Sequence, residues 1–161
     1  LSVGVAGSGF SAEAESVVVE TPERVIANGV RIETELGGGF VVEAPVGRLD
    51  GHGRILHLEE GVRVTGGGMS MESVRVQARY DASHRLVGVD ATGAVRVSRP
   101  PWKATGEKAS LDLLSGRLVL RGEAWLTDGK DTQHGGTVRM GLASTDVECE
   151  SCQPSASWMG P

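Results

Sequence analysis

The sequence predicts an all-β fold, and three observations carry that prediction. The first is internal repetition: an arginine followed by alternating aliphatics, a glycine and a second aliphatic pair around a polar residue recurs four times. The anchoring arginines are Arg24, Arg54, Arg85 and Arg117, a step of 30 to 32 residues. The second is period-two alternation with no apolar stripe of helical length, so each repeat reads as a strand-turn-strand unit. The third is composition: 24 of the 161 residues are glycine, well above the usual ~7%, which suits short strands joined by turns.

Along the chain, residues 1–9 are charge-free and glycine-bearing, and are expected as a flexible lead-in to one domain over 10–147. The glycines of Val3-Gly4-Val-Ala-Gly7-Ser-Gly9 suggest a dinucleotide-binding turn, but such glycines work only between a strand and a helix. A β pattern follows, so no cofactor is expected. The first repeat places Val30 and Ile32 on one face and Arg31 on the other; the second does the same with Val62, Val64 and Arg63. Alternation is clearest over Val74-Arg-Val76-Gln-Ala78-Arg-Tyr80, which sets Val74, Val76 and Tyr80 against Arg75, Gln77 and Arg79. The third repeat opposes Val95 and Val97 to Arg96, and the fourth opposes Ala124 and Leu126 to Trp125.

Turns are expected at Leu36–Gly39, Asp50–Gly53, Gly66–Gly68 and Asp128–Gly129, and the Pro100-Pro101 pair marks a loop or edge. Strands near Phe10–Val19 and Thr137–Val147 are expected to be the two edges, with a C-terminal tail over 148–161. A proline at Arg139 or Leu142 is then expected to disturb an edge and spare the fold.

Composition excludes several function classes. A net charge of −5 with 3 Trp, 1 Tyr and 2 Phe leaves neither a basic footprint nor stacking platforms for nucleic acid. The charge-free opening stretch is far short of a membrane span, and because residue 1 is Leu, a signal or anchor is expected to have been cut away. His52, His57, His84 and His134 share no metal-ligand spacing and are expected as solvated residues, two of them in turns. The one dense carboxylate pair, Glu59-Glu60, precedes a glycine turn, so no catalytic residue and no metal are expected. Cys149 and Cys152 form a lone C-x-x-C with no helix pattern around it; a local disulfide in an oxidising compartment is the preferred reading, and two free thiols in a loose tail the alternative.

Several stretches resemble a known family. They are Ala44-Pro-Val-Gly47-Arg-Leu-Asp50 running on to Gly61-Val-Arg-Val64, then Gln77-Ala-Arg-Tyr80-Asp81, and Ala104-Thr-Gly106 running on to Leu111-Asp112 and Gly116-Arg-Leu-Val-Leu-Arg-Gly122. Each is similar to the repeat of the periplasmic modules of the lipopolysaccharide transport bridge, the OstA-like family, in which an alanine-bearing strand passes through a Tyr-Asp or Leu-Asp turn into Gly-Arg-Leu-x-Leu-x-Gly. The resemblance covers roughly residues 10 to 143. The order of motifs looks more like the inner-membrane-anchored component, LptC, than the soluble LptA. The cysteine-bearing tail and the polar Gly129–Gly136 segment depart from the pattern.

The resemblance implies a twisted antiparallel β-jelly roll, a "taco" whose interior is an aliphatic groove for lipopolysaccharide acyl chains. The groove residues it implies are Val30, Ile32, Phe40, Val42, Val62, Val64, Val74, Val76 and Tyr80 in the first half. In the second half they are Val95, Val97, Leu111, Leu118, Leu120, Leu126, Val138 and Met140. It also implies a non-enzymatic role, docking of other bridge modules through strand edges, and an inner-membrane ABC exporter as the energy source. The location implied is the periplasm, with anchoring by an N-terminal segment absent from this chain. The rival expectation is a structural β-solenoid or adhesin-like scaffold with a packed core and no ligand.

Overall fold

The computed structural model describes residues 3–7, 10–21, 24–35, 39–50, 55–83, 85–142 and 146–155. Among these residues there are seventeen strands and no helix. The first five are β1 (Val3–Gly7), β2 (Phe10–Ala14), β3 (Ser16–Thr21), β4 (Arg24–Thr34) and β5 (Phe40–Asp50). Next come β6 (Ile55–Glu59), β7 (Val62–Gly66), β8 (Met69–Ser73), β9 (Arg75–Tyr80), β10 (Leu86–Arg99) and β11 (Trp102–Asp112). The chain ends with β12 (Arg117–Arg121), β13 (Trp125–Thr127), β14 (Thr132–His134), β15 (Thr137–Gly141), β16 (Val147–Glu150) and β17 (Gln153–Ser155).

Each pass of the chain across the sheet bends once, and the bends line up into a crease. The bend falls at Gly29, Gly61, Gly93, Gly122 and Ser151 on passes in one direction, with φ of 63°, 95°, 87°, 80° and 57°. The four glycines are those of the sequence repeat, so one repeat is one out-and-back pair of passes over the crease. A left-handed φ is costly for any residue with a Cβ, and at Gly122 a Cβ would also lie 2.7 Å from that of Glu107. Backbone bonds bridge the crease from neighbouring passes: Glu15 N–H to the Asn28 carbonyl at 2.8 Å, Val74 N–H to Gly93 at 3.0 Å, and Glu107 N–H to Gly122 at 3.0 Å.

The crease divides the antiparallel sheet into two walls. Wall one runs β1, β2, the end of β4, the start of β5, β7, β8, the end of β10, the start of β11, β13, β14 and β17. Wall two runs β3, the start of β4, the end of β5, β6, β9, the start of β10, the end of β11, β12, β15 and β16. Ile32, Val42, Val64 and Met71 of wall one and Leu58, Val76, Leu86 and Leu118 of wall two are each no more than 2% exposed and share one core cluster. A lone sheet cannot seal its own face from water, so the two walls cover each other. At the rim away from the crease they meet, where Arg99 at the end of β10 donates to the Gly141 carbonyl at the end of β15.

Three expectations need correction. The sheet runs past both boundaries set for it, since Val3–Gly7 pairs with β2 and residues 147–155 supply two further strands. The C-terminal edges are therefore β16 and β17, not β15, and Arg139 lies between Val119 and Glu148 in the interior of wall two. A proline at Arg139 disrupts two neighbours there. Finally, Val74 faces out, 49% exposed. It sits at the crease, where Ser73 turns inward to donate its hydroxyl to the Thr92 carbonyl at 2.8 Å. Val74 and Arg75 then point outward in succession, and the parity that Val76 and Ala78 follow begins only after the bend. The turns expected at Leu36–Gly39 and Asp50–Gly53 lie largely outside the described residues.

The Tyr-Asp and Leu-Asp pairs of the repeat cap the ends of wall two. Asp81 accepts from the N–H groups of Ser83 and Arg85, both at 2.9 Å. Asp112 accepts from those of Leu114 at 2.9 Å and Ser115 at 3.2 Å. These backbone bonds, that from Ser115 foremost, hold the Asp112 carboxyl below its ordinary 3.8. With its pKa lowered on folding, the carboxylate stabilises the protein above about pH 4, and that contribution is lost as pH falls through the folded value. Asp112→Asn is thus expected to lower the thermal midpoint at pH 7 and to leave it unchanged near pH 2, as differential scanning fluorimetry would read.

Candidate functional site

The interior is the site the sequence singles out, and it gathers most of the residues assigned to it. Val30, Ile32, Phe40, Val42, Val62, Val64, Val76, Val95 and Val97 are all buried in one cluster with Leu111, Leu118, Leu120, Leu126, Val138 and Met140. Tyr80 packs half-buried against it, and burial pushes its phenol up to about 12, so the ring stays neutral. Val74 alone of the set lies outside, on the outer surface at the crease.

Sequence reasoning missed Leu58, Met69, Met71, Leu86 and Val89, which lie in the same cluster. Met69, Met71 and Leu58 were legible as period-two positions. The small residues were harder: Ala78 pairs with Val89, Ala104 with Val97 and Leu126, and Ala109 with Leu120. Small side chains opposite large ones let the walls interdigitate, a relation that only register reveals.

Buried polar side chains among the described residues are Thr34, Ser73, Thr127 and Thr132, and none is charged. Thr132 donates to the Thr127 hydroxyl at 3.1 Å, so these two satisfy each other. Such an interior offers no acid, base or fixed polar hook.

The outer face of wall one is the opposite in character. Straight across its strands runs a row of directly paired residues, Glu13, Arg31, Glu43, Arg63, Glu72 and Arg96. Arg31 lies 3.4 Å from Glu43, and Glu72 receives Arg63 at 3.1 Å and Arg96 at 2.9 Å. Pairs this exposed are screened by solvent and contribute little, so the row specifies register more than it stabilises. A depression of about 1050 Å³ beside the crease is lined by these charges together with Val30, Ala44, Val62 and Val74. The row continues through Thr105 to Trp125, which stacks on His134 with ring centroids 4.5 Å apart. His134 and His57 therefore lie on strands, while His52 and His84 fall outside the described residues. Among the described residues no cluster of three or more His, Cys, Asp or Glu could hold a metal ion.

Among the described residues, β1 and β3 at one end of the stack and β16 and β17 at the other pair with this chain on one edge only. Val17, Val18 and Val19 of β3 are exposed, an apolar run on an edge strand. Cys149 and Cys152 are joined by a disulfide at the last bend, their Cα atoms 5.5 Å apart.

No curated protein matches the chain. The solved structure of LptH from Pseudomonas aeruginosa is similar in fold, with a TM-score of 0.59 and 20% identity over 68% of this chain and 80% of that one. LptH is described as the LptA homologous periplasmic component of the conserved lipopolysaccharide transport device. Residues 41–145 match the family described as LptA/(LptD N-terminal domain) LPS transport protein. That span takes in three of the four arginine-anchored repeats and the middle of both walls, and by it the chain belongs to the LptA/LptD N-terminal domain family of lipopolysaccharide transport proteins.

Proposed function

We propose that this chain is a module of the lipopolysaccharide export bridge and carries acyl chains between its two walls. One observation carries the reading: among the described residues the buried apolar cluster runs without a charged side chain from β2 and β4 across both walls to β15, with Val147 and Cys149 of β16 packed against it. Burying a methylene is worth ~0.8 kcal/mol, so an acyl chain of about a dozen gains on the order of 10 kcal/mol before ordering costs. The contact between Arg99 and Gly141 joins the two walls at the rim away from the crease, so uptake at that point would part them there.

The unpaired edges at both ends suit β-augmentation by neighbouring modules, which would join several interiors into one conduit. Directional movement draws its energy from a partner, an ABC exporter of the inner membrane. The location that fits is the periplasm, as for LptH. The family match favours the LptA side of the bridge over the anchored LptC type that the motif order resembles. No helix among the described residues is long and apolar enough to cross a membrane, so an anchor of the LptC kind would have to lie elsewhere.

The scaffold reading draws on the same closed rim, since a fully packed core needs no ligand. Native mass spectrometry of the protein purified from a lipopolysaccharide-producing host separates the two. A bound mass equal to lipopolysaccharide is expected; its absence from protein saturated with added lipopolysaccharide would leave the scaffold reading standing.

A further inference from the structure

The Cys149–Cys152 disulfide spans the crease of the last pass across the sheet. Cys149 belongs to β16 in wall two, Cys152 leads into β17 in wall one, and Ser151 bends the backbone between them. Every inner bend is held by neighbours on both sides. This one has, among the described residues, a neighbour on one side only, Gly136, where a Cβ would come within 2.8 Å of Cys152 Sγ.

β17 is three residues long, pairs with β14, and has Pro154 at its centre opposite Gln133. Gly135 N–H donates to the Ala124 carbonyl at 3.0 Å, which fixes the alternation along β14. Gln133 N–H therefore points to β13, while the N–H groups of Thr132 and His134 point to β17. Pro154, lacking an N–H, turns its nitrogen to the open side, so the open side of β17 offers no donor. On wall two the edge is different. Gly141 N–H donates to the Asp146 carbonyl at 3.1 Å, and the alternation that follows leaves the N–H and C=O of Val147 and Cys149 pointing outward.

We propose that β17 is a cap on the C-terminal edge of wall one and that the disulfide is the clasp that keeps it seated. A three-residue strand bonded to one neighbour holds weakly by itself, and the cross-link to β16 confines it to the place where it covers β14. With the clasp closed, β16 is the one C-terminal edge able to accept an extended strand from another bridge module, an assignment that rests on the function proposed above. The cap itself does not depend on it. A dithiol reductant opens the clasp: the S–S bond breaks, the two cysteines take up two electrons and two protons, and the reductant leaves as a cyclic disulfide. β17 is then released and the Thr132 and His134 N–H groups meet water.

The test is residue-resolved amide exchange on the full chain, before and after dithiothreitol, and on the Cys149→Ser/Cys152→Ser variant. Reduction or substitution is expected to speed exchange at Thr132 and His134 by about tenfold or more and to leave Gln133 within about twofold. Unchanged rates at all three positions would show that β17 stays seated without the clasp. A rise at Gln133 equal to its neighbours would mean that the whole β13–β14 hairpin frays. Either result overturns the proposal. No partner or lipid enters the measurement, so its failure is distinct from failure of the bridge reading, which the bound-lipid mass tests.

Discussion

Leu120→Ala is expected to lower the stability of the folded protein by about 2–5 kcal/mol, whereas Val74→Ala is expected to change it by less than ~0.5 kcal/mol. Leu120 lies on β12 between Ala109 and Val138, is 0% exposed, and faces the opposite wall. Truncation there removes buried apolar surface and leaves a cavity that the paired strands on either side prevent from collapsing. Val74 has the same alternating sequence context as Val76, yet it sits outside at the crease and touches no core. Urea unfolding of the two variants beside the parent chain reads the contrast. Equal losses would mean that Val74 is an interior residue and that the crease is misplaced.

That contrast marks where the sequence was legible. Period-two parity located Ile32, Val64, Val97 and Leu118 inside and Arg31, Arg63 and Arg96 outside, because within a straight strand the pleat leaves no choice. It failed at Val74 because a bend inserts an extra outward residue, and that bend is marked by Gly93 on the neighbouring pass, not by a glycine of its own. The repeat was visible, but its meaning was not. Gly29, Gly61, Gly93 and Gly122 recur in the repeat, but only their shared left-handed φ and their alignment across the strands make them one crease. The fifth bend escaped notice because Ser151 stands where the others have glycine. Residues 148–155 therefore read as part of a tail, although they help close the stack. The charge row across wall one was likewise hidden. Glu13, Glu43 and Glu72 lie on passes running opposite to those of the arginines, and register alone brings them together.

The central claim is that the buried face is a conduit and not merely a core. If acyl chains pass between the walls, a photo-crosslinking residue there must meet them, and one on the charged outer row must not. Val76, Val97 and Leu120 are no more than 3% exposed and lie on the inner faces of both walls. Arg63 and Arg96 stand outward with side chains 62% and 52% exposed, paired with Glu72. The expected difference is large, because a probe buried between the walls is reached only by a ligand that enters them, while a surface probe samples free lipid in passing. The most direct measurement is therefore ultraviolet crosslinking of these five single-probe variants in cells exporting lipopolysaccharide, followed by blotting for lipopolysaccharide on the protein. The account predicts labelling from Val76, Val97 and Leu120 and none from Arg63 or Arg96; equal labelling from both faces, or labelling from the arginine positions alone, would contradict it.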